Sequence, residues 1–314
     1  MQALLIGCGN IGALYDLDDA TRVWTHAKAF SKISEINFSV ADTDKKLAKK
    51  IADHYQVERI TITGETDFSS YDIISITTPT PTHFTFLEAL FNQKVPVIIC
   101  EKPVAANKEE LKKLANLYKK SGCKVLVNYV RRFQPAYERL KKLLIKQQVS
   151  SPCTGINIKY QRGLLNNGGH AFDLLEFLFE KPFSLNAFHL QDVAFDVFSY
   201  DPTVSGSCLF DTCPVTILGI RNSSFPIFEI ELFFPALKIV ICHSGDEVRF
   251  YEYKKKESRL VENQKLRQSN ILPGYMLPVV NKAIKLLKNK NEADNFLQAV
   301  ELNNRIVHVI SKIS

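Results

Sequence analysis

The sequence predicts an α/β protein of two domains, a doubly wound parallel sheet followed by an α+β domain with a large, mostly antiparallel sheet. The chain has 314 residues, whereas a single domain typically has about 100 to 200. Apolar segments typical of strands alternate with helical segments up to about residue 128, which is the pattern of a parallel sheet. Beyond that point strand-like segments follow one another with few helices between them, which favours antiparallel pairing.

The composition is that of an ordinary globular protein. Hydrophobic residues make up 46% of the chain and charged residues 23%, which leaves enough apolar material for two cores. No segment approaches the ~20 consecutive apolar residues of a membrane span, and a strand begins at once without a basic leader, so we expect a cytoplasmic protein. The seven cysteines are scattered, without C-x-x-C spacing, so we expect reduced thiols and no metal site.

The net charge of +7 comes from short clusters of basic residues, such as residues 45–46 and 254–256. Nucleic acid is not an expected partner, because the sequence has no basic stripe interleaved with base-stacking aromatic residues. A positive field also attracts an anionic small molecule such as a dinucleotide or a nucleotide-sugar. We therefore expect a small-molecule substrate.

The glycine-rich turn at residues 7–12 is the motif around which the first domain is organised. An apolar run at residues 3–6 predicts a strand, and Gly-Cys-Gly-Asn-Ile-Gly follows it directly. This G-x-G-x-x-G pattern allows a tight turn, admits a pyrophosphate against the backbone and lets a helix pack closely on the strand. It predicts a Rossmann domain that binds a dinucleotide. The residues expected to contact the cofactor here are Gly7, Gly9, Asn10, Ile11 and Gly12.

A polar loop at residues 15–19 interrupts the helix that usually follows such a turn, and helical character resumes at His26. We expect this loop to lie over the cofactor, where Tyr15, Trp24 and His26 would reach a bound ligand. The alternative, that Trp24 and His26 only hold the loop in place, is equally open.

The second predicted strand, residues 36–41, ends at Asp42. An acidic residue at this position accepts hydrogen bonds from the adenosine ribose and repels a 2'-phosphate, which favours NAD over NADP. Asp42 lies 30 residues after Gly12, and the inserted loop accounts for the excess over the usual spacing of about 20. Lys45 and Lys46 lie close enough to accept a phosphate, so NADP is not excluded.

Two further strands, residues 73–76 and 95–100, deliver polar residues to the same edge of the sheet, because ligands of open α/β sheets bind at the carboxyl ends of the strands. The first strand leads into Thr-Thr-Pro-Thr-Pro-Thr-His, and the second into Glu-Lys-Pro. A charged pair fixed by a proline is unusual for a solvent-facing loop, which indicates a functional role for Lys102. The cofactor contacts expected from these two loops are Thr78, Pro79, His83, Glu101 and Lys102.

Strands at residues 59–62 and 124–128, with helices at 45–54, 84–91 and 108–121, complete the predicted nucleotide-binding domain. We place the domains at residues 1–128, which bind NAD(P), and 129–314, which bind the substrate and form the oligomer. The strands predicted for the second domain are 155–160, 184–189, 193–198, 206–210, 215–220, 228–233, 238–242 and 247–253. Its predicted helices are 135–146, 278–288 and 294–313, together with one that ends at residue 179.

Gly-Gly-His-Ala-Phe-Asp, at residues 168–173, opens that last helix. His170 and Asp173 are three residues apart and therefore project from one face of the helix near its N-terminus. A histidine that follows two glycines at a helix start is more often ligand-facing than part of the core. We interpret His170 as facing the ligand.

Five motifs together resemble the Gfo/Idh/MocA family, named after glucose-fructose oxidoreductase and inositol dehydrogenase. They are the glycine turn at 7–12, Thr-Pro-x-x-x-His at 78–83, Glu-Lys-Pro at 101–103, Arg-Arg-Phe-x-Pro at 131–135 and Gly-Gly-His-x-x-Asp at 168–173. The resemblance implies an N-terminal Rossmann domain that carries the nicotinamide cofactor and a C-terminal sheet domain that makes most substrate contacts. It also implies a homo-oligomer, dimer or tetramer, joined through the sheet. Members mostly oxidise or reduce a secondary hydroxyl of a sugar, cyclitol or nucleotide-sugar.

The resemblance also implies roles for individual residues. Lys102 would be the catalytic lysine, and His170 the catalytic histidine near the reacting hydroxyl. Asp173 would lie just behind that histidine, and Tyr129 and Arg131 would approach the substrate. Glu101 is the obvious counter-charge beside Lys102, which favours the lysine as a hydrogen-bond donor that polarises the substrate oxygen.

One position departs from the family pattern. Many catalytic members carry an aspartate four residues before the histidine, where this chain has Asn166. An amide can hold a substrate hydroxyl but cannot relay a proton, so either Asp173 takes over the orienting role, or the proton path differs, or catalysis is lost. We favour a working enzyme. The segments at residues 128–132 and 164–167 resemble a branch of the family associated with cell-surface sugar synthesis. The alternatives are an NAD-binding regulator that senses a ligand and a glycosidase that uses NAD transiently.

Overall fold

The computed structural model describes residues 1–185 and 188–313, apart from the side chains of residues 147–150. These residues form two compact units. The first consists of residues 1–133 and 273–303, and the second of the described residues in 134–272 and 304–313. Residues 273–303, which the sequence assigns to the second domain, therefore pack with the first unit.

The first unit contains a six-stranded parallel sheet, as predicted. The strand order is β3-β2-β1-β4-β5-β6, so the chain runs outward in both directions from β1. The strands are β1 Gln2–Ile6, β2 Asn37–Ala41, β3 Glu58–Arg59, β4 Ile73–Ile76, β5 Val97–Cys100 and β6 Lys124–Val127. β3 is shorter than the predicted 59–62, because this edge segment exposes residues on both faces and has little to bury.

Eight α-helices accompany the strands in the described part of the chain. They are α1 His26–Ser31, α2 Lys45–Tyr55, α3 His83–Asn92, α4 Lys108–Ser121, α5 Pro135–Ser150, α6 Gly169–Phe179, α7 Met276–Lys288 and α8 Phe296–Ile310. α4 has the predicted bounds because both of its ends are encoded locally. The side chain of Asn107 accepts the N–H of Glu110, and Gly122 ends the helix in the left-handed conformation.

The second unit contains an eight-stranded sheet in the order β14-β13-β12-β11-β7-β10-β9-β8. Every neighbouring pair is antiparallel except β7 with β10, which confirms a large, mostly antiparallel sheet. The strands are β7 Gly155–Tyr160, β8 His189–Ala194, β9 Thr203–Phe210, β10 Cys213–Gly219, β11 Phe228–Phe234, β12 Leu237–Cys242, β13 Glu247–Lys254 and β14 Arg259–Glu262. The α/β fold class is therefore confirmed.

The predicted and observed strands of this unit differ at three places. The strand predicted at 193–198 is wrong, because β8 ends at Ala194 and the chain then turns. The side chain of Asp196 accepts the N–H of Val197 and the hydroxyl of Thr203, a local pattern that favours a turn over a strand. β14 was not predicted, and the prediction at 184–189 includes residues 186–187, which lie outside the described residues.

Candidate cofactor and substrate site

Of the three glycines in the turn, only Gly9 leaves space for a ligand. Gly7 has φ +98°, and a Cβ there would lie 2.9 Å from the Thr77 carbonyl. A Cβ at Gly12 would lie 2.2 Å from the carbonyl oxygen of Gly7. At Gly9, by contrast, a Cβ would meet no described atom within 4 Å. The first and third glycines thus permit close packing, whereas the second faces open space, which fits the approach of a dinucleotide pyrophosphate.

Asp42 is tied to this turn. Its Oδ2 accepts the N–H of Cys8 at 2.6 Å, and its Oδ1 accepts the N–H of Asp44 at 2.8 Å. Oδ1 also accepts the hydroxyl of Thr43 at 3.5 Å, whereas Oδ2 keeps a second lone pair. Asp42 can therefore still accept a ribose hydroxyl. The residues at this end of the sheet therefore fit NAD.

We predict that Gly9→Val folds like the wild type but binds NADH at least about tenfold more weakly. The new Cβ meets no described atom within 4 Å, and the side chain fills the space that a pyrophosphate would need. Fluorescence titration gives the affinity and thermal unfolding gives the stability. Gly64→Val is the matched control, because a Cβ at Gly64 also meets no atom within 4 Å. Unchanged NADH affinity in Gly9→Val would place the pyrophosphate elsewhere.

The Glu101 carboxylate at the end of β5 points into the protein. Its Oε1 lies 3.0 Å from Nε2 of His26 and accepts a hydrogen bond from Nδ2 of Asn128 at 2.5 Å. Nδ1 of His26 is 3.1 Å from the hydroxyl of Ser75. All four side chains are buried. His26 therefore holds Glu101 inside the protein, a role that differs from both sequence-based interpretations of this histidine.

The backbone after Lys102 is held by two more buried side chains. The ring nitrogens of His83 lie 2.9 Å from the carbonyl oxygens of Pro103 and Thr78. The N–H of Val104 donates to Oδ1 of Asn303 at 2.8 Å. The half-buried Lys102 is therefore presented from a backbone segment that is anchored on both sides. Burial lowers the pKa of His83, although the two carbonyl oxygens oppose this shift.

The side chains of Tyr129 and His83 are both buried. Each is 1% exposed, and the hydroxyl of Tyr129 accepts a hydrogen bond from Nδ2 of Asn303 at 2.7 Å. Both side chains thus support the backbone around Lys102. The contact of His83 with the cofactor and that of Tyr129 with the substrate stay predictions. The contact of the half-buried Arg131 with the substrate is a prediction too.

The inserted loop is anchored through the buried Asp16. Its carboxylate accepts the N–H groups of Trp24 and Thr25 and the hydroxyl of Thr25. The Trp24 ring stacks on Tyr275 with 6.3 Å between the ring centroids. Tyr15, in contrast, is 59% exposed. Trp24 thus contributes to the packing of the loop.

The buried carboxylate of Glu101 should make stability depend on pH. Burial raises its pKa, but hydrogen bonds from His26 and Asn128 and the charge of Lys102 outweigh this and hold the pKa below the usual 4.5. A lowered folded-state pKa means that the stabilisation is present above the unfolded-state value and is lost as the pH falls through the folded-state value.

We therefore expect Glu101→Gln to lower the free energy of unfolding at pH 7 by about 2 kcal/mol and to weaken its decline in acid. Urea unfolding at several pH values between about 7 and 4 measures both effects. Glu65→Gln, at an exposed position, is the control and should behave like the wild type. An equally steep acid decline in Glu101→Gln would contradict the prediction.

In the second unit, the predicted substrate residues lie at the start of α6. Asn166 lies in a π-helical turn, Gly163–Gly168, directly before that helix, and is half-buried like His170. Asp173 is 2% exposed, one turn further along the helix. The structure thus brings these three residues into one continuous helical segment.

Asp201 fixes this segment and was missed in the sequence. Its carboxylate oxygens accept the N–H groups of Leu165 and Asn166, both at 2.8 Å. Gly163 has φ +85°, and a Cβ there would lie 2.1 Å from Oδ2 of Asp201. No local pattern links Asp201 to Asn166. The one sequence signal was Gly163, because a glycine before the Leu-Leu-Asn-Asn segment allows another part of the chain to approach the backbone closely.

The carboxyl ends of four neighbouring strands in the first unit carry the predicted cofactor residues. Residues 7–12 follow β1, Asp42 follows β2, residues 78–79 lie just after β4 and residues 101–102 follow β5. Thr78 uses its carbonyl oxygen for His83 and its hydroxyl for Thr82. The pattern is the one at which open α/β sheets bind dinucleotides.

One cluster in the second unit has atoms suited to a metal ion. Ligand atoms of Cys242, His243 and Glu247 all lie within 4.8 Å of one another. However, Arg249 and Arg267 both pair with the carboxylate of Glu247. Their positive charges oppose the binding of a cation there.

Comparison with known proteins agrees with this geometry. Residues 1–129 match the family model GFO_IDH_MocA, described as an oxidoreductase family with an NAD-binding Rossmann fold. Inositol 2-dehydrogenase of Rhizobium meliloti (strain 1021) is 28% identical over 199 residues, which are 58% of this chain and 56% of that protein. The uncharacterized oxidoreductase YrbE of Bacillus subtilis (strain 168) is 27% identical over 151 residues, 47% of this chain and 41% of that protein. The chain thus spans about half the length of the curated relatives it matches.

Solved structures extend the likeness of fold to the whole chain. A dehydrogenase (MviM) from Clostridium difficile has a TM-score of 0.75 at 17% identity, covering 100% of this chain and 99% of that one. UDP-N-acetylglucosamine 3-dehydrogenase GnnA from Acidithiobacillus ferrooxidans has a TM-score of 0.71 at 15% identity, covering 99% and 96%. At these identities the likeness concerns the fold alone.

The parallel sheet, the glycine turn and the family match define residues 1–129 as an NAD-binding Rossmann fold. Residues 1–129 match the Gfo/Idh/MocA oxidoreductase family, which confirms the resemblance found in the motifs. Within the described residues, none of the helices is both long and apolar enough to cross a membrane.

Proposed function

We propose that this protein is an NAD-dependent dehydrogenase that transfers a hydride between the nicotinamide and a secondary hydroxyl or keto group of a cyclitol, sugar or nucleotide-sugar. The observation that carries the proposal is the anchored presentation of Lys102 at the carboxyl end of β5, on the sheet edge that also carries the glycine turn. The name of one relative, inositol 2-dehydrogenase, supports a polyol substrate. We also propose that this reaction serves cell-surface sugar synthesis.

The chemistry assigns different tasks to the two units. NAD supplies the hydride acceptor, and the protein must remove the hydroxyl proton as the hydride leaves. His170 accepts that proton. Lys102 donates a hydrogen bond to the substrate oxygen, a role that fits the inward-facing carboxylate of Glu101. Arg131 and Tyr129 are assigned to substrate binding.

Asn166 holds a substrate hydroxyl through its amide, and its backbone is fixed by Asp201. Since an amide cannot stabilise an imidazolium by charge, we assign the orientation of His170 to Asp173, which is three residues further along α6. Asn166 is also the one observation that favours the alternative of a ligand-sensing regulator without catalysis.

A coupled binding and turnover assay tests the proposal. The purified chain is first titrated with NADH and then mixed with NAD and, in turn, myo-inositol, simple aldoses and UDP-N-acetylglucosamine, while NADH absorbance is followed. We expect NADH to accumulate with at least one of these polyols. Tight NADH binding without turnover would favour the regulator, and release of free sugar without net NADH would favour a glycosidase.

We further propose that the protein works in the cytoplasm as a homo-oligomer joined through the second sheet. Apolar side chains on two adjacent strands support this, because Leu209 on β9 and Leu218 on β10 are each about half exposed. Light scattering of the purified chain measures its mass. A monomer at micromolar concentration would contradict this part of the proposal.

A further inference from the structure

Two cysteines of the second unit lie side by side at the start of neighbouring strands. Cys213 is the first residue of β10, and Cys153 lies two residues before β7. These strands are parallel, with Val215 opposite Ile156. Extending that register by two residues brings Cys213 opposite the residue after Cys153. The thiol of Cys213 donates a hydrogen bond to the sulfur of Cys153.

Both cysteines line one small cavity at the surface of this unit. Its volume is about 170 Å³, and Lys181 and Asp211, which pair with each other, form part of its wall. Cys153 is half-buried and Cys213 is 6% exposed. A small reagent that enters the cavity therefore meets Cys153 first.

The hydrogen bond makes the two thiols chemically unequal. The bond from Cys213, assisted by backbone groups of Gly155 and Thr154, lowers the pKa of Cys153 although burial opposes this. The same bond raises the pKa of Cys213. Burial raises the pKa of Cys208 to about 12. Since the thiolate is the reactive form, Cys153 is the nucleophile of the pair.

We propose that Cys153 and Cys213 form a redox-active dithiol that is oxidised by low-molecular-weight disulfides such as oxidised glutathione. The Cys153 thiolate attacks one sulfur of the small disulfide, which gives a mixed disulfide and releases one thiolate. Cys213 then loses its proton to solvent and attacks the sulfur of Cys153, displacing the second small thiol. Two protein thiols are thus oxidised to one disulfide, and the small disulfide is reduced to two thiols.

The disulfide would close the chain between residues 153 and 213, which contains β7, α6, β8 and β9. Closing a long loop restricts the unfolded chain and so stabilises the folded one. We expect the oxidised protein to unfold at a temperature about 5 °C or more above that of the reduced protein. The inference does not depend on the proposed dehydrogenase activity.

The test treats the reduced full-length chain with oxidised glutathione, blocks the remaining thiols by alkylation and identifies cysteine peptides by mass spectrometry. We expect a cross-linked peptide that joins Cys153 to Cys213. Cys213→Ser should retain glutathione on Cys153, whereas Cys153→Ser should take up none at Cys213. Cys242→Ser is the control, because Cys242 is also half-buried but its pKa is raised, and this variant should cross-link like the wild type.

Two results would overturn the proposal. One is a wild-type protein in which both cysteines are still alkylated after the treatment. The other is glutathione that stays on Cys153 in the wild type or that labels Cys242 as readily as Cys153. The unfolding temperature of the wild type, measured before and after oxidation, gives a readout that needs no variant.

Discussion

Replacing Lys102 by methionine is expected to lower turnover about 10³-fold, within the range of about 10² to 10⁴ that removal of a proton-donating group usually costs. Methionine keeps a side chain of similar length but donates no hydrogen bond, so the substrate oxygen loses its polarising partner. The measurement is kcat for NADH formation with the best polyol of the assay. NADH affinity should change only a few-fold, because the glycine turn supplies the main cofactor contacts.

The anchoring of the segment makes this result interpretable. Glu101 is held by His26, Pro103 by His83 and Val104 by Asn303, so the backbone does not depend on the lysine side chain. The variant should therefore unfold at the temperature of the wild type. Lys119→Met, at an exposed position on α4, is the matched control and should keep full activity. Turnover within threefold of the wild type in Lys102→Met would show that this lysine is not catalytic.

The first sheet could be predicted from the sequence because its signals are local. Apart from β3, its strands are short segments rich in apolar residues, and the glycine turn follows β1 without a gap. The bounds of α4 follow from Asn107 and Gly122, which begin and end that helix. The short β3 was the weak point, since an exposed edge has no burial pattern that fixes its end.

Long-range side-chain contacts could not be predicted in the same way. His26 and Glu101 are 75 residues apart in the sequence. Asp201 accepts the N–H of Asn166, from which it is 35 residues away in the sequence. Such pairs depend on which strands and loops become neighbours, which no local periodicity encodes. The same reason explains why α7 was assigned to the second domain, whereas it packs with the first unit.

The sequence also could not show which protein atoms the motif side chains contact. The motif residues His83 and Tyr129 look like ligand contacts when read as side chains near a strand end. In the structure their polar atoms bond to Thr78, Pro103 and Asn303. A motif predicts where in the fold a residue lies. What its side chain does there depends on its burial and on the atoms to which it is hydrogen-bonded.

His170→Ala is expected to lower turnover by a similar factor, about 10²- to 10⁴-fold, because the variant lacks the base that accepts the hydroxyl proton. The side chain is half-buried and α6 is anchored independently through Asp201 before its first turn, so the unfolding temperature should change little. NADH formation from the best polyol again gives kcat. His189→Ala, an exposed histidine of the same unit, is the matched control.

Added imidazole separates proton transfer from a structural role. If His170 accepts the proton, a small soluble base that reaches the emptied space should restore part of the activity of His170→Ala, in proportion to its neutral form, and should leave Lys102→Met inactive. A structural histidine would not respond in this way, because imidazole cannot rebuild the packing of α6. Loss of activity without any recovery at high imidazole would assign the proton to another group, and Asp173 would be the next residue to replace.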